Sequence, residues 1–312
     1  MLRSALLYLS DQPTVFRFVR NNRLAKSFAR RFVAGEKLDD ALAAVRALNS
    51  RGISASLDEL GESVTNERQA RATRDVYLEI LERIAAARLD ANVSVKLTAL
   101  GLDISEDLCV ALMQDLLERA RRHRTFVRID MESSEYTDRT LRLFEERFFP
   151  SFREQVGIVL QSYLYRTWAD VERAIEMKYR VRICKGAYHE PASVAFPDKT
   201  DVDANYVKCM HALIEKGFYP GIATHDARIL ADAKRFVRDR GIATDRFEFQ
   251  MLYGVRRDLQ ESLVREGYRM RVYVPFGTQW YPYLMRRLAE RPANVAFLTG
   301  NVMREMLSRR RR

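Results

Sequence analysis

The sequence predicts a (β/α)8 barrel of the TIM type with extra helix at its N-terminal end. Three observations lead there. Eight short strand-like runs recur between residues 53 and 276. Amphipathic helical stretches separate them. Three of the later helices stop at a glycine that leads into the next strand, at Gly217, Gly241 and Gly267, the usual signal for a helix C-terminus. Strands alternating with helices imply a parallel sheet covered by helices. A doubly wound open sheet is the alternative closure.

Residues 1–36 precede the first repeat, and QPTVFRFVRNNRLAKSFARRF within them reads as additional helix packed on a barrel domain of 37–312. The first run is ISASL (53–57). A helix follows with Tyr77, Ile80, Leu81 and Ile84 on one face, then VSVKL (93–97). EDLCVALMQDLLERA places Leu108, Leu112, Met113, Leu116 and Leu117 on one helical face. TFVRIDM (125–131) and GIVLQSY (157–163) are the third and fourth runs. In the fifth, YRVRICK (179–185), Val181 and Ile183 alternate with Arg182 and Cys184 to give two unlike faces. GIAT (221–224), FEFQML (247–252) and RVYVPF (271–276) complete the set. The helix in YPYLMRRLAERPAN (281–294) buries Leu284 and Leu288, and RRRR (309–312) reads as a solvated end. No linker rich in Pro, Gly or Ser marks a second domain.

Composition narrows the function classes. The 312 residues are 47% hydrophobic, enough for a substantial core. The formal charge of +11 is either a solvated basic surface or an attraction to an anionic partner such as nucleic acid, a membrane face or an acidic ligand. Cys109, Cys184 and Cys209 lack CxxC spacing and read as reduced thiols of a cytoplasmic protein. No apolar run reaches the roughly 18 residues of a membrane span, and ALLYL (5–9) is too short for a signal sequence. That leaves peripheral membrane contact open. The glycines form no GxG pair and no P-loop, the histidines show no HExxH or HxH spacing, and no GxSxG occurs. Those absences argue against a Rossmann dinucleotide site, a catalytic metal and a serine-hydrolase elbow.

Polar residues gather where the apolar runs end. The second run ends at Lys96, the third at Asp130 and the fourth at Gln161. The fifth gives Arg182 and Lys185, the sixth Thr224 and His225, the seventh Glu248 and Gln250, and the eighth Tyr273. In a (β/α)8 barrel this edge binds ligands. Unpaired charges there cost several kcal/mol each, so Lys96, Asp130 and Arg182 are expected to pair with one another or with ligand. Adjacent Arg286 and Arg287, with Glu290 a turn later, fit an ordinary salt-bridged surface and equally a carboxylate clamp.

The segments LDELGE (57–62), VSVKLTALG (93–101), QSYLYRT (161–167), RICKGAY (182–188), ATHD (223–226), FEFQMLYG (247–254) and YVPFG…YLMRRLAERPAN (273–294) together resemble the proline dehydrogenase family. They occur in family order over about residues 50–295. The resemblance implies a flavin-bearing barrel that oxidises L-proline to Δ1-pyrroline-5-carboxylate by hydride transfer from C5 to flavin N5. The flavin would be FAD, with FMN as the other option, and the electrons would pass to membrane quinone. By motif position Lys96, Arg286 and Arg287 would bind the substrate carboxylate, and Tyr188, Leu252 and Tyr273 would wall the proline ring. Asp130 and Arg182 match active-site positions. Gln161, Arg182, the backbone of Met131, Lys185, Gly186, Ala187, Thr224 and His225 match flavin contacts, to which Glu248 and Gln250 would add. Glu62 matches a gate that pairs with the first arginine of the clamp. The length resembles the monofunctional bacterial enzymes, for which a separate pyrroline-5-carboxylate dehydrogenase takes the product.

Three other readings compete. Hydroxyproline dehydrogenase shares the fold, but bulky Tyr273 would leave little room for a 4-hydroxyl. A Schiff-base aldolase would use Lys96 or Lys185 at a strand end and would be colourless. A basic, non-catalytic, nucleic-acid-binding barrel is disfavoured, since no RNP-like or zinc-finger motif occurs.

Overall fold

The computed structural model describes residues 29–61 and 64–290. The helix expected over 1–36 therefore lies mostly outside the described residues, as do Glu62 and RRRR (309–312). So do the side chains of Arg286 and of residues 288–290.

Eight strands close a parallel barrel in sequence order: β1 (Ser54–Glu59), β2 (Ala91–Val95), β3 (Val127–Ile129), β4 (Val156–Gln161), β5 (Arg180–Cys184), β6 (Gly221–Ala223), β7 (Glu248–Leu252) and β8 (Met270–Phe276). The doubly wound alternative is thereby excluded. Closure is made by β1 on β8, in register from Ser54 opposite Arg271 to Glu59 opposite Phe276. Helix α1 (Leu38–Asn49) precedes β1. The crossovers carry α2 (Glu67–Ala86), α3 (Glu106–Arg122), α4 (Ser134–Leu143), α6 (Thr167–Met177), α7 (Lys199–Lys216), α8 (Ala227–Asp239) and α9 (Arg257–Arg265). After α4 a π-helical turn (Phe144–Phe148) leads into the short α5 (Phe149–Phe152). Helix α10 (Trp280–Glu290) follows β8.

Strand alternation sorts the side chains into two environments. Leu57, Val95, Ile129, Ile158, Ile183, Phe249 and Val272 face the helices and are fully or almost fully buried. They meet Tyr77, Ile80, Leu81 and Ile84 of α2 and Leu112, Met113, Leu116 and Leu117 of α3, the faces expected from the 3.6-residue period. Burial of each such side chain contributes about 1.5–3 kcal/mol. The other face points into the barrel, where layers of branched apolar residues are usual. Here that interior is polar, with Ser56, Asp58, Ser94, Asp130, Arg182, Glu248 and Gln250 all buried.

Helix starts follow from capping chemistry: Asn66, Ser105 and Asp226 each accept a backbone N–H at the first turn of α2, α3 and α8. Two of the expected glycine stops take the left-handed conformation, Gly241 (φ +62°) and Gly267 (φ +83°). Gly217 does not. It is extended, and its N–H closes the last turn on the Leu213 carbonyl at 2.8 Å.

Candidate active site

The mouth of the barrel is organised by one buried ion pair. Arg182, in the middle of β5, reaches across the interior and donates from Nη1 to Asp130 Oδ1 at 2.7 Å. Its Nη2 donates to Ser94 Oγ at 3.1 Å and its Nε to Gln250 Oε1 at 2.5 Å. Tyr273 on β8 donates to the second oxygen of Asp130 at 2.8 Å, and its ring lies 5.3 Å from the guanidinium carbon. Burial and then the negative charges of Asp130 and Asp58 push the Tyr273 phenol well above its ordinary range. The hydroxyl is therefore a fixed donor. Asp130 follows directly on β3 and by register sits level with Val159 of β4 and Arg182 of β5.

Lys96 pairs with a residue the sequence reading passed over. Its Nζ lies 3.6 Å from Asp58 Oδ1, with both side chains almost wholly buried. Asp58 also accepts from Tyr77 of α2 at 3.2 Å. The signal for Asp58 is present in Ser54-Ala55-Ser56-Leu57-Asp58: every second residue is polar, as for a strand with one face inside a polar barrel. Ser56 and Ser94, in hydrogen-bond contact at 3.1 Å, were missed on the same pattern. Beside them the Glu59 carboxyl is raised to about 7, first by burial and then by the charge of Asp58.

Further round the rim, Gln161 donates to the Glu132 carbonyl at 2.7 Å and braces the loop that carries Met131. Lys185 turns its ammonium to Asp203 of α7 (2.5 Å) and Asp226 at the start of α8 (3.5 Å). For Asp203, burial would raise the carboxyl, but hydrogen bonds and charge from Lys185 and Lys199 outweigh it and hold it below its ordinary range. Gly186 follows at φ +112°, and a Cβ there would strike the Tyr163 ring. Glu190 pins the remainder of this loop, accepting from Ser134 N (2.8 Å) and Tyr163 (3.2 Å). Ala187 and Tyr188 are thereby carried half-buried between Gly186 and that anchor.

On the opposite side, Thr224 Oγ1 accepts from the Asp226 N–H at 3.1 Å, and His225 Nε2 accepts from the Leu252 N–H at 2.9 Å. His225, Leu252 and Arg287 line a cleft of about 460 Å³ together with Arg31, Phe32 and Arg256. One arginine of the expected clamp thus stands at the mouth; the side chain of Arg286, and Glu62, lie outside the described residues. Cys184 lies near Arg287, although burial still pushes its thiol up to about 12.

One assignment needs correction. Glu248 was expected at the C-terminal end of its strand beside Gln250, but it is the first residue of β7. Its carboxylate is taken by Arg271 at 2.8 Å and by the Gln250 amide at 2.6 Å. It therefore lies a layer below the mouth and supports Gln250 from beneath. Arg182, likewise expected at a strand end, reaches the mouth from within its strand.

Known proteins are similar to this chain in sequence and in fold. The family model described as proline dehydrogenase matches residues 41–300. Proline dehydrogenase 1 of Bacillus subtilis is 40% identical over 98% of this chain and 100% of its own. Proline dehydrogenase of Deinococcus radiodurans is 41% identical over 97% of this chain and 98% of its own. Among solved structures, proline utilization A (PutA) from Bdellovibrio bacteriovorus, inactivated by N-propargylglycine, superposes with a TM-score of 0.81 at 28% identity. That match covers 92% of this chain and about a third (35%) of the larger PutA chain. A match over most of the sequence, with near-complete coverage of the single-chain relatives, leads to one conclusion: the chain belongs to the proline dehydrogenase family, oxidoreductases of proline catabolism.

Proposed function

We propose that the barrel mouth holds FAD and L-proline together, releases Δ1-pyrroline-5-carboxylate, and passes the electrons to membrane quinone. The observation that carries this reading is the Asp130–Arg182 pair buried below a mouth to which Lys96 and Arg287 contribute further positive charge. The residues present fit a flavin. Among the described residues Arg182 uses three of its guanidinium N–H groups, leaving donors that would stabilise charge gained by a bound flavin. Lys185 is turned away to Asp203 and Asp226, and Gly186 supplies the left-handed turn, so the backbone of 185–187 borders the mouth without a bulky obstruction. When bound, the flavin supplies the two-electron acceptor for the hydride lost from proline C5.

Each side chain has a task in that arrangement. Lys96, Arg286 and Arg287 fix the substrate carboxylate, which orients the pyrroline ring to be formed. Their field also favours the neutral amine, whose lone pair assists loss of hydride from the adjacent carbon. Leu252, Tyr188 and Tyr273 press on the ring methylenes and exclude water. Asp130 holds Arg182 and Tyr273 in place, and Glu62 keeps the gating role that the family resemblance implies. Gln161, the Met131 backbone, Thr224 and His225 border the cofactor, whereas Glu248 is too deep to do so.

No helix among the described residues is long and apolar enough to cross a membrane. The product then passes to a pyrroline-5-carboxylate dehydrogenase activity. L-proline is favoured over 4-hydroxyproline because bulky Tyr273, held in place by its bond to Asp130, leaves little room for a 4-hydroxyl.

The decisive experiment is the visible spectrum of the purified protein with and without L-proline. A yellow protein that bleaches with proline, and reoxidises with a soluble quinone, supports the reading; a colourless protein that cannot be reconstituted with FAD sinks it. Arg287→Met should raise KM for proline at least tenfold with flavin retained, and unchanged kinetics would remove the clamp. N-propargylglycine, the inactivator of the Bdellovibrio PutA, should also inactivate this chain, with protection by proline.

A further inference from the structure

A line of hydrogen bonds rises through the barrel from its floor to the mouth. Arg271 of β8 is anchored by Nη1 on the Ala55 carbonyl at 2.7 Å and donates from Nε to Glu248 Oε1 at 2.8 Å. The same carboxylate accepts from Gln250 Nε2 at 2.6 Å and, through Oε2, from Tyr219 at 3.3 Å. Gln250 Oε1 in turn accepts from Arg182 Nε at 2.5 Å. Every link above Tyr219 is enclosed, with Glu248, Gln250 and Arg182 between 4% and 7% exposed.

The chemistry of the lowest link dictates the orientation of the next. A carboxylate can only accept, so Gln250 must turn its NH2 downward and its carbonyl upward. Flipping the amide would set its oxygen against the carboxylate and its NH2 against the Arg182 N–H. Gly221 on β6 makes room for this amide, since a Cβ there would overlap it. Arg271, Gln250 and Arg128 hold the Glu248 carboxyl below its ordinary range, although burial, the largest single influence, acts to raise it.

Asp130 and Ser94 hold one end of the Arg182 guanidinium, and Gln250 holds the Nε edge. Without that edge the plane is free to rotate about the Asp130 contact. We propose that Glu248 and Arg271 are positioning residues for the reaction: by fixing the Gln250 amide they fix the angle at which Arg182 faces the flavin. This rests on the reading that Arg182 serves a bound flavin.

The test uses the flavin-loaded enzyme. Glu248→Leu with Arg271→Met removes both charges together, so neither is stranded in the interior, and Gln250 is left free to flip. The expected result is unchanged flavin content, KM for proline within about twofold, and kcat lower by about tenfold, the scale at which outer supporting partners act. The two-electron midpoint potential of the flavin should fall by about 30 mV, a tenfold change in its equilibrium. Adding Gln250→Glu should restore most of both, because a carboxylate accepts from Arg182 in either orientation. Unchanged kcat and potential in the paired variant overturn the proposal. So does a lower melting temperature without a potential shift, or failure of Gln250→Glu to restore. A colourless wild type would sink the flavin reading itself, whereas a yellow wild type with an unaltered variant sinks this inference alone.

Discussion

At the scale of single residues, the site depends on charges that find partners inside a barrel. Glu59 shows the cost of one that finds none among the described residues. Its carboxyl is raised from 4.5 to about 7 by burial and by Asp58. Between those values the folded chain holds a proton that the unfolded chain has released, so stability falls as pH rises through the window. The loss is on the order of 3 kcal/mol. Glu59→Gln removes the penalty: the variant should match the wild type near pH 4.5 and exceed it above pH 7. Urea denaturation at pH 5 and pH 8 checks this, and parallel pH profiles for the two proteins would disprove the assignment. The strand pattern around such residues was legible, since Lys96, Asp130, Gln161 and Arg182 all stand on the polar face that alternation gives. Asp58 was equally legible in Ser-Ala-Ser-Leu-Asp and went unread. Glu248 was misplaced by one layer because alternation fixes which face a residue takes but not how far along its strand it lies.

At the scale of elements, the turns on the floor of the barrel show which signals a sequence carries and which it hides. Gly241 and Gly267 mark helix ends because only glycine takes a left-handed φ without a Cβ penalty. Arg88, Arg124 and Lys178 adopt the same region at φ +51° to +59° with nothing in their residue type to announce it. The π-helical turn at Phe144–Phe148 is hidden for a similar reason: a single residue of extra winding leaves the apolar period almost intact. A pair of substitutions tests the turn argument. A Cβ at Gly267 would meet nothing within 4 Å, so Gly267→Ala isolates the backbone term and should destabilise by about 1 kcal/mol. Lys178→Gly, at an exposed turn, should stabilise by about 0.5 kcal/mol after the entropy that glycine loses on folding. Denaturant midpoints that moved in the opposite directions would show that packing, not φ, governs these turns.

For the whole molecule, the division between an apolar shell and a polar interior decides what the cofactor does for stability. The apolar contacts lie between strands and helices, as in Val95, Ile129 and Ile183 against the helical layer, and none of them requires a ligand. The mouth is different: Lys96, Asp130, Arg182 and Arg287 stand there, and on the proposed reading the remaining guanidinium donors of Arg182 serve what binds. Removing the flavin should therefore leave the barrel folded, with an unchanged far-ultraviolet circular dichroism spectrum, yet easier to melt. With FAD at about a hundred times its Kd, binding contributes about 2.7 kcal/mol. For a chain of this size that corresponds to a rise in melting temperature of about 4 °C. The rise should grow with the logarithm of FAD concentration, and FMN should reproduce it only to the extent that the adenosine half contributes no contacts. A melting temperature indifferent to added flavin, in a protein whose spectrum shows that flavin has been removed, would mean that the folded chain binds no flavin.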